Sequence, residues 1–350
     1  MRAPAAIPEN PRRIALFPPS HDSGRRCGVA LQSSLRLHGA PHGDGDDSSL
    51  TAIRCQTHCL CATFVPQTHC RHDSDSDRTH RPETFQVQLL MTTRIDVDGL
   101  AARLWKARLD GTQVTLSDDE HALTIDDAYE LQQRYVHISG ERACGWKIGA
   151  TNQAVQDTLG VDQPFAGPIL ERFTLPGPVS YRLHKDVSAI VEVEFVFRMA
   201  SDFTAHGDVD ADALTAAIDA ICPAIELAGL RLAPSESGPS AAPFIADAAA
   251  NIALIYGTPV QQWSMSPLAE HPVSLQVNGV PVAEGNGGNV LGSPINALGW
   301  LAEFLGHRGL GLSAGDIITT GSATPIQHAR AGDTLVAEFG ALGSVEVSLE

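Results

Sequence analysis

Two glutamates one residue apart interrupt an otherwise apolar stretch, AIVEVEFVF, at residues 189–197. Side chains alternate between the two faces of an extended strand, so Glu192 and Glu194 point the same way. A third acid, Glu226, interrupts a second apolar stretch, CPAIELAGL, at residues 222–230. Burying an unpaired carboxylate is costly. A hard divalent cation such as Mg²⁺ or Mn²⁺ removes that cost, because it prefers oxygen ligands and accepts two or three carboxylates.

The same pattern has a simpler interpretation. Glutamates at alternate positions of a strand also occur where one face of a sheet is covered by water. Glu226 considered alone adds little to the metal interpretation. These three residues by themselves therefore leave a metal site and a solvated sheet face both open.

The elements that must position these acids are predicted to be mostly short strands. A helical stripe covers residues 97–109, and Thr124 is expected to cap a second helix, so two helices would form a small N-terminal layer. Further helical patterns cover residues 212–221 and 296–305. The dipeptide Asn278-Gly279 between two strand-like runs predicts a β-hairpin. Because strand and helix do not alternate regularly, the sequence indicates an α+β domain with a mainly antiparallel sheet system.

The charge of the chain argues against polyanionic partners. The 350 residues include 24 basic and 41 acidic side chains, which gives a net charge of -17. Such a charge repels both a nucleic-acid backbone and an anionic bilayer. The longest uncharged run, residues 248–269, contains Gly257 and Pro259, so it does not read as a membrane-spanning helix. We therefore expect neither a nucleic acid nor a membrane as partner.

The first ninety residues differ in composition from the rest. They contain 10 of the basic and 9 of the acidic residues, and they also contain five of the seven cysteines. The remainder then has 14 basic and 32 acidic residues, a net charge of -18. A zinc site in CQTHCLCATFVPQTHCRH (55–72) is disfavoured, because its cysteine spacing is not one that zinc fingers commonly use. We expect residues 1–90 to be a disordered leader or a mis-assigned start, with Met91 as the natural beginning.

Several segments of the main body resemble one family in their sequence and their order. They are GWKIG (145–149), ATNQAVQDTLGVDQPFAGPIL (150–170), NVLGSPINALGWLAEFL (289–305) and the C-terminal AGDIITTGSATP and AGDTLVAEFG. Together with the two acidic strands, they resemble the 2-keto-4-pentenoate hydratase branch of the fumarylacetoacetate hydrolase superfamily. The resemblance covers residues 91–350. It implies a mainly antiparallel β-roll of the fumarylacetoacetase C-terminal type, with an N-terminal helical or lid region over 91–165 and a metal-binding catalytic domain over 166–350.

The resemblance also implies roles for particular residues. The family's metal triad falls on Glu192, Glu194 and Glu226, with Mg²⁺ or Mn²⁺ as cofactor. Its lysine motif falls on Lys147, which would supply a positive charge or exchange a proton. Ser322 would bind the substrate carboxylate and Asp162 would be a further catalytic acid, although both also read as ordinary turn residues. No organic cofactor is implied.

The family acts on 2-oxo or 2-hydroxy-dienoate acids. The resemblance therefore implies a cytoplasmic, homo-oligomeric lyase of aromatic catabolism that adds water to a 2-hydroxy-2,4-dienoate. Two departures keep alternatives open: Phe165 stands where hydratases have an acid, and Ala250-Asn251 stands where relatives have Asp-Asn, with Asp247 nearby. A decarboxylase of an unsaturated 2-oxo-diacid and a catalytically degenerate metal-binding relative are the alternatives. Gas release from the diacid discriminates the first of these from a hydratase.

Overall fold

The structure is a computed structural model that describes residues 95–184, 188–233, 238–265 and 267–350. The predictions for residues 1–90, including the cysteine-rich segment 55–72 and the boundary at Met91, lie outside the described residues. The division into regions at residues 165 and 166 stays a prediction.

Six α-helices occur in the part of the chain that the structure describes, two of them before the first strand and the others between strands. They are α1 (Val97–Asp110), α2 (Ile125–Ser139), α3 (Gln153–Leu159), α4 (Ala211–Ala216), α5 (Ala241–Ala246) and α6 (Pro294–Gly306). The first two confirm the predicted N-terminal helices. Thr124 caps α2 as expected, and it forms a reciprocal capping box with Asp127. No helix in the described ranges is long and apolar enough to cross a membrane.

The strands form two sheets, and most neighbouring pairs are antiparallel. The larger sheet has the order β2-β1-β10-β5-β6-β7-β3, with β11 paired to β5, and the smaller has the order β4-β13-β12-β8-β9. The strands are β1 (Ala143–Gly149), β2 (Phe165–Leu170), β3 (Thr174–Pro176), β4 (Val179–Tyr181), β5 (Ala189–Met199), β6 (Ile218–Ala228), β7 (Asn251–Tyr256), β8 (Pro272–Val277), β9 (Val280–Asn286), β10 (Ile317–Ser322), β11 (Gln327–Ala329), β12 (Thr334–Glu338) and β13 (Ser344–Leu349). This α+β architecture is the predicted fold class.

Alternation along β5 separates two apolar clusters. Val191, Val193, Phe195 and Phe197 enter the main core, which also receives side chains from the smaller sheet and from α6. Val196 faces the other way, into a small cluster on the opposite side of the sheet. The glutamates of β5 therefore point away from the main core.

A second apolar layer is built by the N-terminal helices. Side chains of α1, α2 and α5 pack there with β2 and with a tight turn, Ala248–Ala250, which we call the alanine turn. All three alanines of this turn have positive φ, at 49°, 53° and 61°. The left-handed region is unfavourable for residues with a Cβ atom, so packing and hydrogen bonds must hold the turn in place.

One predicted helix is wrong in its extent. The helical pattern of residues 212–221 becomes the short helix α4 and then the start of β6 at Ile218. Residues of this strand pair with β5, for example Ile221 with Phe197. Pairing with a long neighbouring strand thus overrides the local helical pattern. The hairpin prediction is confirmed, because Asn278 and Gly279 connect β8 to β9 and both have positive φ.

Candidate metal centre

Strand register brings the three glutamates together. Glu192 of β5 lies directly opposite Glu226 of β6, and Glu194 lies opposite Ala224. Glu194 and Glu226 are fully buried, while the Glu192 side chain is 19% exposed. Each residue offers a carboxylate oxygen, and these oxygens lie within 4.8 Å of one another. We call this group the carboxylate cluster (Glu192, Glu194 and Glu226).

Lys147 of β1 reaches the same point. Its Nζ lies 2.7 Å from Glu226 Oε1 and 3.6 Å from Glu192 Oε2, and its side chain is only 5% exposed. Two strands separate β1 from β6 in the sheet order, so the long lysine side chain extends over the intervening strands. Lys147 therefore compensates part of the buried negative charge of the carboxylate cluster.

The pKa values of Glu192, Glu194 and Lys147 are shifted because three acidic groups are buried close together. Burial, together with the charges of Glu226 and Glu192, raises the pKa of Glu194 well above its usual range. Burial also raises the pKa of Glu192, although Lys147 opposes that shift. Burial alone would lower the pKa of Lys147, but the three glutamates outweigh it and raise this pKa. One ammonium group is thus shared among three acids.

Each buried glutamate has neutral hydrogen-bond donors as well. The backbone N–H of Gly321 donates to Glu194 Oε2 at 2.7 Å, and Thr319 Oγ1 donates to Glu226 Oε2 at 3.3 Å. Gly321 has a φ of +101°, and a Cβ atom there would collide with the side chain of Thr151. A glycine is therefore required where the backbone turns its N–H toward Glu194.

Asn251 adds a third donor, from the start of β7. Its Nδ2 donates to Glu226 Oε1 at 3.0 Å. Asp247, considered from sequence as a replacement for the acid missing before Asn251, is engaged elsewhere. It is fully buried, and its carboxylate accepts hydrogen bonds from the backbone N–H and the Nε of Arg231, each at 2.6 Å.

The other two predicted site residues lie outside the carboxylate cluster. Asp162 is exposed, in the turn between α3 and β2. Ser322 is the register partner of Glu194, and its Oγ donates to the carbonyl of Thr324 at 3.0 Å. Ser322 also lines a cavity of about 540 Å³ that includes Thr151 and Asn289. The roles of Asp162 and Ser322 stay predictions.

Phe165 is buried at the start of β2. Its ring centroid lies 6.5 Å from that of Phe244, and the ring fills the space above Gly149. The position where the family resemblance led us to look for an acid is thus occupied by an apolar ring. A separate cavity of about 1350 Å³ lies beside α1 and is lined by residues such as Arg108 and Ile190, but by none of the three glutamates.

The donor set fits a hard divalent cation. Three buried carboxylates that point at one another are costly unless positive charge is placed among them. One lysine leaves two of the three charges uncompensated when all three acids are ionised. Oxygen ligands of this kind are those that Mg²⁺ and Mn²⁺ prefer, so Glu192, Glu194 and Glu226 could hold such an ion.

Comparisons with known proteins agree with this geometry. The model of the fumarylacetoacetate (FAA) hydrolase C-terminal family matches residues 173–350. A 2-keto-4-pentenoate hydratase of Paraburkholderia xenovorans is 30% identical over 256 residues, which is 71% of this chain and 93% of that protein. A 2-hydroxyhexa-2,4-dienoate hydratase of Comamonas testosteroni is 30% identical over 249 residues, 69% of this chain and 93% of that protein.

A solved structure of similar fold is the 4-oxalocrotonate decarboxylase of Pseudomonas putida G7, complexed with magnesium and adipate. It has a TM-score of 0.66 and 26% sequence identity, and the match covers 73% of this chain and 97% of that chain. The family model, the curated relatives and this structure all indicate the same assignment. The chain belongs to the fumarylacetoacetate hydrolase family, in the branch that includes the 2-keto-4-pentenoate hydratases and the 4-oxalocrotonate decarboxylases.

Proposed function

We propose that this protein is a Mg²⁺- or Mn²⁺-dependent hydratase that adds water to a 2-hydroxy-2,4-dienoate in the breakdown of aromatic compounds. The observation that carries the proposal is the carboxylate cluster with Lys147 paired to Glu226, in a chain similar to hydratases over nearly their whole length. The relatives named as hydratases favour water addition over other reactions of the family.

Each residue of the site has a distinct task in this proposal. Glu192, Glu194 and Glu226 hold the cation, which when bound supplies positive charge to the substrate's carboxylate and 2-oxygen. Lys147 places a second positive charge beside them and can hold or transfer a proton. Ser322 binds the substrate carboxylate, and Asp162 stays a weaker candidate for a catalytic acid. Overall, one water molecule adds a hydroxyl group and a proton across one carbon–carbon double bond of the substrate, and the enol proton moves from the 2-oxygen to carbon, which leaves a hydroxylated 2-oxo acid.

Decarboxylation of an unsaturated 2-oxo-diacid is the second candidate. The buried ring of Phe165 favours it, because water addition needs a group that activates or delivers water, whereas decarboxylation chiefly needs a positive charge that accepts electrons. The similarity to a 4-oxalocrotonate decarboxylase structure also favours it. The hydratase proposal stands first because the curated relatives are hydratases.

The proposal also includes a cellular compartment and an oligomeric state for the enzyme. Cys144 and Cys222 are free and buried, which fits a reducing cytoplasm. Burial raises the pKa of Cys144 to about 11 and that of Cys222 to about 12, so neither thiol is an activated nucleophile. We also propose a homo-oligomer, as the family resemblance implies, and sedimentation velocity measures its size directly.

A two-substrate assay tests the proposed reaction. The protein is mixed with Mg²⁺ and 2-hydroxypenta-2,4-dienoate, and separately with 2-oxohex-3-enedioate, while dienol absorbance and carbon dioxide are followed. We expect the dienoate to lose its absorbance without gas release, and we expect chelation of the metal to stop the reaction. Glu226→Gln should lower kcat/KM roughly 100-fold or more, because it removes a proposed ligand.

Glu346→Gln is the matched control, since Glu346 is an exposed glutamate on strand β13. It should leave the activity unchanged. Gas release from the diacid, with no change in the dienoate, would replace the hydratase proposal with the decarboxylase. Turnover of neither substrate by a protein that binds metal would indicate a catalytically degenerate relative.

A further inference from the structure

A buried chain of hydrogen bonds connects helix α1 to the carboxylate cluster. Arg108, in the last turn of α1, is only 7% exposed. Its Nη2 donates to Asn251 Oδ1 at 3.2 Å, and its Nη1 donates to the carbonyl of Asn251 at 2.8 Å. Asn251 in turn donates from Nδ2 to Glu226 Oε1 at 3.0 Å. A single amide therefore stands between the N-terminal helical layer and a proposed metal ligand.

The chemistry of the two partners fixes the orientation of that amide. A guanidinium group has only donors, so the oxygen of the Asn251 amide must face Arg108. The NH₂ group must then face the opposite way, toward Glu226. An ionised Glu226 carboxylate has only hydrogen-bond acceptors, so it requires a donor at this position. Arg108 thereby determines which end of Asn251 meets the glutamate. Such contacts behind a metal ligand orient the ligand and tune its affinity for the ion.

The backbone before Asn251 is held in a strained conformation. The three residues of the alanine turn are left-handed, a conformation that is unfavourable for residues with a Cβ atom. Arg231 supports the turn from both ends, since its Nη2 donates to the carbonyl of Asp247 at 2.8 Å and its Nη1 to that of Asn251 at 2.9 Å. Strain of this kind is retained where it places a functional group. Here it places Asn251 at the start of β7.

Arg108 has no acidic partner of its own among the described residues. Its Nη atoms donate to Tyr135 and to the oxygens of Asn251 and Ile252, all of them neutral groups, and its Nε is buried without a hydrogen bond. Its charge also lies close to that of Arg231, which is paired with Asp247. Burying a charge without a direct counter-ion weakens a fold. The Arg108 guanidinium also stacks over the Phe173 ring at 3.9 Å, a contact that stabilises the fold but does not determine which end of the Asn251 amide faces Glu226.

We propose that Arg108 is a positioning residue for the metal centre: it orients the Asn251 amide so that its NH₂ group holds Glu226 in place as a ligand. This inference rests on the proposed function, because it takes Glu226 to be a metal ligand. It assigns the helical layer a task in metal binding, in addition to its packing against the sheet.

A double-mutant cycle on Mn²⁺ affinity tests the proposal. Mn²⁺ alone is titrated into the metal-free protein, and free Mn²⁺ is followed by electron paramagnetic resonance. We expect Arg108→Met to weaken binding roughly 10-fold and Asn251→Leu at least as much. The double variant should bind no more weakly than Asn251→Leu alone, because both changes break the same connection. Should Arg108→Met fail to fold, the same cycle is run with Arg108→Gln, whose amide keeps a polar group at this position but presents an acceptor as well as donors.

Arg172→Met is the matched control. Arg172 lies against the same Phe173 ring as Arg108, but it is exposed and pairs with Glu141 instead of Asn251. It should bind Mn²⁺ as the wild type does. Wild-type affinity in Arg108→Met, or losses of affinity that simply multiply in the double variant, would overturn the proposal while leaving the metal site intact. No Mn²⁺ binding by the wild-type protein would overturn both the metal site and this proposal.

Discussion

Three carboxylates meet at one point because two rules act on them together. Alternation along β5 places Glu192 and Glu194 on one face, and the antiparallel register places Glu226 opposite Glu192. A shift of one residue in either strand would turn a carboxylate into the main core. The site is therefore a consequence of strand pairing.

Lys147 is placed where it would compete with a bound cation for Glu226. Its Nζ lies 2.7 Å from Oε1 of Glu226, one of the three acids of the carboxylate cluster. We predict that Lys147→Met lowers kcat roughly 100-fold or more, because a proton-transferring or charge-stabilising group is lost. The same variant should bind Mn²⁺ more tightly than the wild type, because a positive charge has left the site. Steady-state kinetics at saturating Mn²⁺ and a Mn²⁺ titration give the two values.

Lys106→Met serves as the control for this prediction. Lys106 is an exposed lysine of α1 that pairs with Asp110. It lies on a helix, whereas Lys147 lies on strand β1 of the larger sheet. It should change neither kcat nor Mn²⁺ affinity. Weaker Mn²⁺ binding by Lys147→Met would show that the lysine chiefly holds the carboxylates in position, against our assignment.

At this scale the sequence predicted the acids but not their partners. Alternation and apolar context singled out Glu192, Glu194 and Glu226 but left a solvated sheet face open, and the family resemblance implied the metal triad and Lys147. The contacts to Thr319, Gly321 and Asn251 could not be read from local patterns, because they depend on which strands become neighbours in the sheet. The same holds for Arg108, whose partner Asn251 lies on a different element 143 residues away.

Elements with strong local signals formed where the sequence placed them. The helix α2 has its capping residue, Thr124, and the β8–β9 hairpin has its Asn278-Gly279 turn. The pattern at residues 212–221 failed because pairing with β5, a long-range interaction, decides that segment. The alanine turn could not be predicted either, since alanine favours right-handed helix and nothing local indicates positive φ.

The packing of the alanine turn on β2 gives a test at the scale of elements. A Cβ atom on Gly167, the register partner of Lys147, would collide with the methyl group of Ala249 and crowd the backbone of Ala248. We predict that Gly167→Ala lowers the free energy of unfolding by about 1–3 kcal/mol. The double variant Gly167→Ala/Ala249→Gly should recover more stability than Ala249→Gly adds to the wild type, because it also removes the opposing methyl group in addition to relieving the left-handed strain at residue 249. Urea denaturation measures the wild type and all of these variants.

Gly299→Ala is the control for this change. Gly299 lies in α6 with nothing near the position of an added Cβ atom. Alanine there should stabilise the protein by about 0.5–1 kcal/mol, since glycine is a poor residue in a helix. Wild-type stability in Gly167→Ala would mean that the turn moves freely on β2, contrary to the tight packing described.

The charge of the whole molecule fits a protein that attracts cations. Residues 91–350 have a net charge of -18, and three of their acids are concentrated in the carboxylate cluster. A negative field of this size raises the local concentration of divalent ions and works against anionic substrates. Positive charge at the site is therefore needed for two reasons. It compensates the buried glutamates, and it attracts the carboxylate of an anionic substrate.

At this scale the sequence patterns predicted the fold class, and the family resemblance added that the strands form a mainly antiparallel β-roll. Composition and short strand runs indicated α+β, but they could not give the sheet order β2-β1-β10-β5-β6-β7-β3. In that order β10, from near the C-terminus, lies between β1 and β5. Long-range insertions of this kind leave no periodic signal in the sequence.

The central claim is that Glu192, Glu194 and Glu226 hold one divalent cation. Anomalous scattering from crystals grown with Mn²⁺ tests it most directly. We predict a single strong peak within coordinating distance of one carboxylate oxygen from each glutamate, with Lys147 Nζ moved away from Glu226 Oε1. A Mn²⁺-saturated crystal with no peak there, and with the lysine still bonded to Glu226, would contradict the claim.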